Sequence, residues 1–288
     1  MTLTTTLVAL AMMQVGPNPN VDSTFRLPDE LVNRPPRPER EKAPPPLTPV
    51  SQWLANCLAL VEQDPARAHS QAQIKRSEAL GAERVVANHC LGLAATELQL
   101  WDDARNAFLA ARDETPADEV RARARFGAMA GNAALGGGDA TTALTLLSIA
   151  QSDAETAAST PLQTIAALDT ARALVALGRS EEALAPLDRA TSLAPQDSEG
   201  WLLKATLLRR LERLSDAQAA IELAAAIAPQ DGAIGLEAGV IAVLAGREDA
   251  ARASWQSVID TAPDTPAATR AKDYLAQLGP AEDSTAQP

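Results

Sequence analysis

The chain contains few aromatic residues, cysteines or histidines, and each shortage excludes a class of protein. Aromatic residues make up 3% of the 288 positions, and there are 2 cysteines and 2 histidines. Two cysteines are too few for a disulfide-rich scaffold or for a zinc site with four cysteine ligands. No run of about 18 apolar residues occurs, so no transmembrane helix is expected.

Motifs of familiar catalytic chemistry are also missing, which indicates a protein that is not an enzyme. The sequence has no nucleophile elbow, paired-histidine zinc motif, phosphate-binding loop or dinucleotide fingerprint, and we interpret the glycine run at 136–138 as a turn. Cys57, His69, His89 and Cys90 have the atom types that bind zinc. Because consecutive residues point about 100° apart on a helix, one metal rarely uses both His89 and Cys90. We predict no metal and no cofactor.

The charge balance is acidic, with 25 basic and 37 acidic residues and a net charge of −12. Binding to nucleic-acid phosphates or anionic lipid would need a localised basic patch against that field. No stripe of basic and aromatic residues of the kind that binds RNA occurs, and no segment pairs a basic helical face with bulky apolar residues. We therefore expect a protein or peptide partner, no nucleic acid and no membrane insertion.

The N-terminal residues 1–14 include a short apolar stretch, Leu7–Met13, with a small-x-small site at Ala9-Leu10-Ala11. No lysine or arginine precedes Arg26, although an export signal usually begins with positive charge. We take this segment as a candidate signal peptide and expect a periplasmic protein. A cytoplasmic protein with a disordered N-terminal tail is the alternative.

Half of the 20 prolines lie in residues 1–49. Proline at this density removes backbone donors and favours extended polyproline II geometry. Residues 15–49 are therefore predicted to be a proline-rich disordered linker, with a docking motif for an aromatic groove as the alternative. The folded part is expected to begin near residue 50, and residues 280–288 are expected to form a disordered tail.

From residue 50 onward the sequence is helical in pattern and repetitive. The chain has 61 alanines, and alanine is the best helix former and is poor in strands, which disfavours an all-β fold or a parallel α/β sheet. A 34-residue spacing separates the members of one set of prolines and one of alanines: Pro195, Pro229 and Pro263, and Ala183, Ala217 and Ala251. Two residue types in one period indicate an internal repeat.

Segment 198–231 resembles a tetratricopeptide repeat. Trp201, Ala205 and Leu208 stand at i, i+4 and i+7, hence on one face of a first helix. The second helix and its end are marked by Ala217, Ile221, Ala224 and Pro229. The same pattern extends over residues 50–279, in units at 50–82, 85–118, 124–157, 164–197, 198–231 and 232–265, with a cap helix at 266–279.

The resemblance implies an all-α fold, a right-handed superhelical solenoid of about six helical hairpins. Small residues let the two helices of a hairpin approach closely, and large ones fill the adjoining space. One hairpin cannot bury its apolar face alone, so neighbouring hairpins must stack. Pro186 lies inside a predicted second helix and is expected either to cost helical structure there or to kink the helix.

The resemblance also implies that the first helices line a concave groove. The candidate peptide-binding residues lie on these helices in three successive repeats: Arg125, Asn132, Arg172, Arg209 and Arg210. Arginine offers a planar fork for carboxylates, and asparagine bonds a peptide backbone in either direction. The set is similar to the carboxylate clamp of tetratricopeptide domains that bind chaperone tails, but the lysines of that clamp are missing. In the alternative, these arginines pair with acidic residues in the stack, as Arg172 would with Asp169.

Cys57 and Cys90 lie 33 residues apart, which is close to one repeat. They are therefore expected on the first helices of adjacent units, where facing Cα atoms would be roughly 4–5.5 Å apart. That distance overlaps disulfide geometry. We predict a disulfide in an exported chain, with two buried thiols as the alternative.

Taken together, these patterns predict a non-catalytic scaffold or adaptor that binds an extended, acidic peptide in its concave groove within a periplasmic assembly. Two alternatives remain. One is a cytosolic regulatory or co-chaperone module with the same fold, and the other is an accessory subunit of an enzyme complex.

Overall fold

The computed structural model describes residues 48–279. The candidate signal peptide, nearly all of the expected linker and the C-terminal tail lie outside the described residues. Between residues 48 and 279 the chain forms thirteen α-helices and no strand. The prediction of an all-α fold is confirmed.

Twelve of these helices form six antiparallel hairpins, and the thirteenth closes the stack. The first three hairpins are α1 (Pro49–Gln63) with α2 (Pro65–Glu78), α3 (Ala82–Glu97) with α4 (Trp101–Glu114), and α5 (Val120–Gly136) with α6 (Ala140–Thr156). The next three are α7 (Thr160–Ala176) with α8 (Leu184–Leu193), α9 (Ser198–Arg210) with α10 (Leu214–Ile227), and α11 (Gly232–Leu244) with α12 (Glu248–Thr261). The cap helix is α13 (Pro266–Leu278).

Local sequence explains where the terminal helices begin. Pro49 and Pro266 stand in the first turns of α1 and α13, where the missing N–H of proline costs no hydrogen bond. The residue before each proline is a threonine, Thr48 or Thr265, whose side chain accepts a first-turn N–H. Such caps satisfy donors that a helix start leaves unpaired.

Pro186 lies where its helix loses residues at the start, which is the first of the two expected effects. Helix α8 begins only at Leu184, after a turn that occupies residues 180–183. Pro186 therefore lies in the first turn of α8, where no N–H is needed for an intrahelical bond. The consequence is a second helix of 10 residues, whereas the second helices of the next two hairpins have 14.

Small and large residues alternate at the helix contacts. The alanines at the start of the second helices are fully buried, and each is followed four residues later by a large buried side chain. These pairs are Ala104 with Phe108, Ala143 with Leu147, Ala183 with Leu187, Ala217 with Ile221, and Ala251 with Trp255. A helix surface of this shape permits close approach and still fills the space beside it.

The first helices form the inner wall of the stack. Neighbouring first helices contact each other at α1–α3, α5–α7, α9–α11 and α11–α13. Within residues 48–279 no two neighbouring second helices make more than isolated contacts. First helices that are closer together than second helices bend the stack toward the first-helix side, which we call the groove.

The third hairpin is longer than the others. Helices α5 and α6 each span 17 residues, and α7 also spans 17. The unit at 124–157 lacks the closing proline that ends the regular repeats, and α6 continues to Thr156. A short turn at 157–159 then leads into α7.

Cys57 on α1 and Cys90 on α3 are joined by a disulfide. Their Cα atoms lie 6.2 Å apart, somewhat farther than the spacing of packed helices suggested. Both residues are buried, at 4% and 0% exposure, in a cluster that includes Val61, Leu91 and Ala94. The bridge ties the first hairpin to the second.

The close approach inside the third hairpin yields a first testable prediction. A Cβ added at Gly131 would lie 2.7 Å from Cγ of Leu147, which is fully buried. Gly131→Ala is therefore expected to lower the free energy of unfolding by about 1–3 kcal/mol. Gly200→Ala is the matched control, because its Cβ would meet only ordinary contacts of 3.5 Å and beyond. Denaturant unfolding that finds equal effects would contradict this packing.

The disulfide yields a second prediction. Closing a loop of this size stabilises a fold by about 3–4 kcal/mol on the chain-entropy model. The double variant Cys57→Ala/Cys90→Ala is expected to lose that amount in denaturant unfolding, and reductant is expected to cause a comparable loss in the wild type. Maleimide labelling of denatured, unreduced protein from its native compartment is the direct check. Two labelled thiols per chain would refute the bridge.

Candidate peptide-binding groove

Three of the five candidate residues are already bonded to carboxylates of the stack. The Asn132 Nδ2 on α5 donates to Asp169 Oδ2 on α7 at 3.4 Å. Arg172, one turn further along α7, donates to Asp169 Oδ1 at 2.6 Å and also pairs with Glu199 at the start of α9. A chain of polar contacts therefore crosses three successive first helices.

The third of these residues, Arg209, extends this chain of polar contacts, which we call the polar ladder, to the next first helix. Its guanidinium forms a two-point contact with Glu237 on α11, at 2.6 Å from Nε to Oε1 and 3.4 Å from Nη2 to Oε2. Both side chains are largely buried, with 22% and 13% of their surface exposed. Such a fork geometry fixes two helices relative to each other. Arg172 and Arg209 therefore have structural partners, as the alternative interpretation of the sequence proposed.

Asp169 is the centre of this ladder and is 2% exposed. Burial raises the pKa of its carboxyl, and the neighbouring Arg172 guanidinium opposes that rise. A buried carboxylate is costly unless it is paired and hydrogen-bonded. Asn132 and Arg172 supply both, which explains why these two polar residues lie on the groove side of their helices.

Arg125 and Arg210 differ from the other candidates. Within the described chain neither guanidinium has a hydrogen bond or an ion pair. Arg125 stacks over the ring of Phe126 at 5.0 Å, and Arg210 lies at the exposed end of α9. These are the two candidate arginines whose charge is available to a ligand.

Two pockets open between first helices at equivalent places in the repeat. One, of about 280 Å³, lies between α7 and α9 and is lined mainly by apolar side chains, with Arg172, Thr206 and Arg210 at its polar edge. The other, of about 220 Å³, lies between α3 and α5, with Thr96 and Asn132 at its edge. The residues at matching positions are Leu93 and Arg172, Thr96 and Val175, Met129 and Leu203, Asn132 and Thr206, and Ala133 and Leu207.

A family model for the tetratricopeptide repeat matches residues 165–207, which span α7 to most of α9. Residues 165–207 therefore carry a tetratricopeptide repeat, and the described part of the chain has a tetratricopeptide-type fold. No curated protein matches it in sequence.

Three solved tetratricopeptide structures are similar to this chain in fold. PilW, a widely conserved type IV pilus biogenesis factor, has a TM-score of 0.61 at 17% identity over 78% of this chain and 99% of its own. PilF of Pseudomonas aeruginosa has a TM-score of 0.58 at 12% identity over 78% of this chain and 97% of its own. MamA from Desulfovibrio magneticus RS-1 has a TM-score of 0.52 at 14% identity over 63% and 97%.

Metal binding and membrane spanning are two alternative roles that the side chains of residues 48–279 bear on. Between residues 48 and 279 no cluster of three or more potential metal ligands occurs, and no helix there is long and apolar enough to cross a bilayer. Cys57 and Cys90 are joined to each other and offer no thiolate to a metal. His69 Nε2 lies 3.7 Å from Asp103 on α4.

Some residues of the groove were not identified from the sequence. Glu199 and Glu237 lie on the first helices as partners of arginines one repeat earlier, at separations of 27 and 28 residues. The sequence did contain a signal for these pairs. A residue 27 or 28 positions after an arginine lies one 34-residue repeat further on and about two helical turns back, which places it across from that arginine on the next first helix. The polar ladder also depends on the bond between Asn132 and Asp169, which no local pattern indicates.

His89 also faces this wall, from α3. It is 8% exposed and packs edge-on against Phe126, with ring centroids 5.3 Å apart. Burial, and to a smaller extent the nearby Arg125 charge, lower the pKa of His89 from 6.5 to about 4. The imidazole is therefore neutral at physiological pH and acts as part of the wall.

The lowered pKa gives a third prediction. As pH falls, the unfolded chain binds a proton at His89 before the folded one does, so stability is complete above about pH 6.5 and is lost progressively toward pH 4. The loss reaches about 3 kcal/mol at most, from 1.36 kcal/mol per unit of pKa. His89→Gln is expected to flatten denaturant unfolding measured across this window. A variant curve as steep as that of the wild type would contradict the assignment.

Proposed function

We propose that this tetratricopeptide protein is a non-catalytic scaffold that binds an extended, acidic peptide of a partner protein in its groove, within a periplasmic assembly. The observation that carries the proposal is the pair of equivalent pockets on the first-helix wall. Each has an apolar lining and a polar edge.

The size of the pockets favours side chains of a peptide over a free small molecule. Pockets for drug-sized ligands usually have about 300–1,000 Å³, and these two have about 220 and 280 Å³. Each pocket therefore has room for one side chain of a peptide. Recurrence at equivalent positions is what a polymeric ligand with several anchoring residues requires.

The spacing of the pockets sets the length of the peptide. They are two repeats apart along the stack, and contacting helix axes lie about 8–10 Å from each other. An extended chain advances about 3.3 Å per residue. At least about six residues of extended peptide would therefore separate the two anchoring side chains, because α3–α5 and α7–α9 are not among the closely contacting pairs.

The charge preference rests on Arg125 and Arg210, because the other candidate cations are neutralised within the stack. A guanidinium, such as that of Arg210 at the edge of the α7–α9 pocket, can donate two parallel hydrogen bonds to a carboxylate. Between the pockets, the polar ladder centred on Asp169 offers few free groups. An acidic residue next to the apolar anchor of the α7–α9 pocket would meet Arg210, and an acidic residue that passes α5 would meet Arg125.

The periplasmic location is supported by the disulfide and by the apolar N-terminal stretch. Disulfides persist in oxidising compartments such as the bacterial periplasm and are rare in the cytosol. The Cys57–Cys90 bridge is buried and joins two helices of the core. A cytosolic adaptor would keep both thiols reduced.

The fourth prediction tests the groove with residues that have no structural partner. Arg210→Glu reverses a free charge at the edge of the α7–α9 pocket, and Thr206→Trp fills that pocket. Each is expected to reduce the recovery of partner proteins with a tagged full chain at least about tenfold, since a charged hydrogen bond contributes about 1.5–3 kcal/mol. Mass spectrometry of the co-purified proteins measures the recovery.

Arg270→Glu on the exposed polar side of α13 is the matched control and is expected to leave recovery unchanged. Circular dichroism and the melting temperature of all three variants check that they fold. Folded Arg210→Glu and Thr206→Trp variants with wild-type recovery would refute the groove. Arg172 and Arg209 are poor positions for this test, because their reversal would place glutamate against Asp169, Glu199 or Glu237.

A further inference from the structure

A cleft of about 680 Å³ lies at one edge of the groove, outside the two pockets described above. It separates the N-terminal ends of α5 and α7, and residues from the turn at 157–159 close its side. The lining residues are Asp118, Glu119, Val120, Arg121, Ala122, Arg125, Ala157, Ser159, Pro161 and Leu162. The cleft exists because the third hairpin is longer than a regular repeat and ends without the usual proline.

Ser159 is the buried polar group of this cleft. The residue is 4% exposed and stands at the N-cap of α7, where serine usually accepts a first-turn N–H. Here its side chain makes no capping bond, and within the described residues its hydroxyl has no other partner. The hydroxyl oxygen keeps contact with the open space of the cleft, so without a protein partner it is available to a ligand there.

The helix starts at the cleft add backbone N–H groups that no side chain caps. Neither α5 nor α7 has a side-chain cap, and both helices begin at the cleft. The N–H groups of a helix start have no intrahelical acceptors and carry partial positive charge. A carboxylate is a suitable partner for such groups.

Two arginines add full positive charge. Arg121 and Arg125 stand one turn apart on α5 and both line the cleft. Like charges at i and i+4 repel each other in a helix. Within the described part of the chain neither forms an ion pair, and Asp118 and Glu119 on the same cleft wall offset that repulsion only in part. A ligand carboxylate between the two guanidinium groups would offset the remaining repulsion.

The other residues restrict the chemistry of the ligand. Asp118 and Glu119 line the same cleft and would repel a multiply charged anion, but both accept hydrogen bonds from N–H donors. Val120, Pro161 and Leu162 give the cleft an apolar wall. A peptide terminus combines one carboxylate, backbone N–H donors and an apolar side chain, which matches all three features.

We propose that this cleft binds the carboxyl-terminal residue of a peptide that ends in an apolar side chain. The terminal carboxylate lies between Arg121 and Arg125 and accepts a hydrogen bond from the Ser159 hydroxyl. The last side chain packs against Val120 and Leu162. This inference rests on the proposed function, because the rest of such a peptide would continue along the groove.

The probe is N-acetyl-L-leucine, which carries a free carboxylate, an amide N–H and an apolar side chain. Titration into the isotope-labelled full chain, followed by amide NMR spectra, is expected to shift resonances at the starts of α5 and α7. N-acetyl-L-leucinamide lacks the carboxylate and is expected to bind at least about tenfold more weakly. Inorganic phosphate is the third ligand, because it carries the negative charge without the apolar group or the N–H.

The variants separate the contributions of the residues. Arg121→Gln/Arg125→Gln and Ser159→Ala are each expected to weaken N-acetyl-L-leucine binding, the double arginine variant by about tenfold or more, and Arg270→Gln is expected to leave it unchanged. Equal binding of the leucinamide, equal or tighter binding of phosphate at the same resonances, or full binding by the arginine double variant would each overturn the proposal. The outcome is independent of the groove test. If Arg210→Glu abolishes partner recovery and N-acetyl-L-leucine shifts nothing at α5 and α7, the groove stands and the cleft does not.

Discussion

The whole structure depends on how closely one helix of a hairpin approaches the other. At the contact points the chain places alanine or glycine on one helix and a large side chain on its neighbour, as with Gly131 and Leu147 or Gly239 and Trp255. Each pair buries area only if the next hairpin covers it, so no hairpin is stable alone. The groove follows from the same contacts, because neighbouring first helices lie closer together than second helices.

The polar side chains of the inner wall are organised by that stacking. Where repeats follow each other regularly, an arginine meets a carboxylate from the next first helix, as in the pairs Arg172–Glu199 and Arg209–Glu237. These pairs fix adjacent hairpins in register and leave little charge free. In the lengthened third hairpin the acidic partner is missing, and Arg121 and Arg125 remain uncommitted. Available charge therefore lies at Arg121 and Arg125 in the irregular hairpin and at Arg210 in a regular one.

The sequence predicted the fold well and the groove only in part. The period of 34 residues predicted a stack of helical hairpins, because the spacing of small residues and prolines depends on local sterics alone. The structure also brought Cys57 and Cys90 together as that period suggested. The sequence left open whether Pro186 would cost helical structure or kink its helix, and α8 starts late with four helical residues fewer than the next second helices. The role of Arg172 was left open, since it depends on which carboxylate of the next hairpin reaches it. The cleft beside Ser159 follows from the path of a turn, which no periodic pattern describes.

The Cys57–Cys90 bridge makes the two ends of the array unequal. In a linear stack each unit contacts only its neighbours, so opening starts at the ends, where one set of contacts is missing. At the N-terminal end, α1 cannot leave α3 while the bond is intact, whereas α13 is held by noncovalent contacts alone. One end of the stack is thus closed by a covalent bond, and partial unfolding proceeds from the C-terminal cap inward.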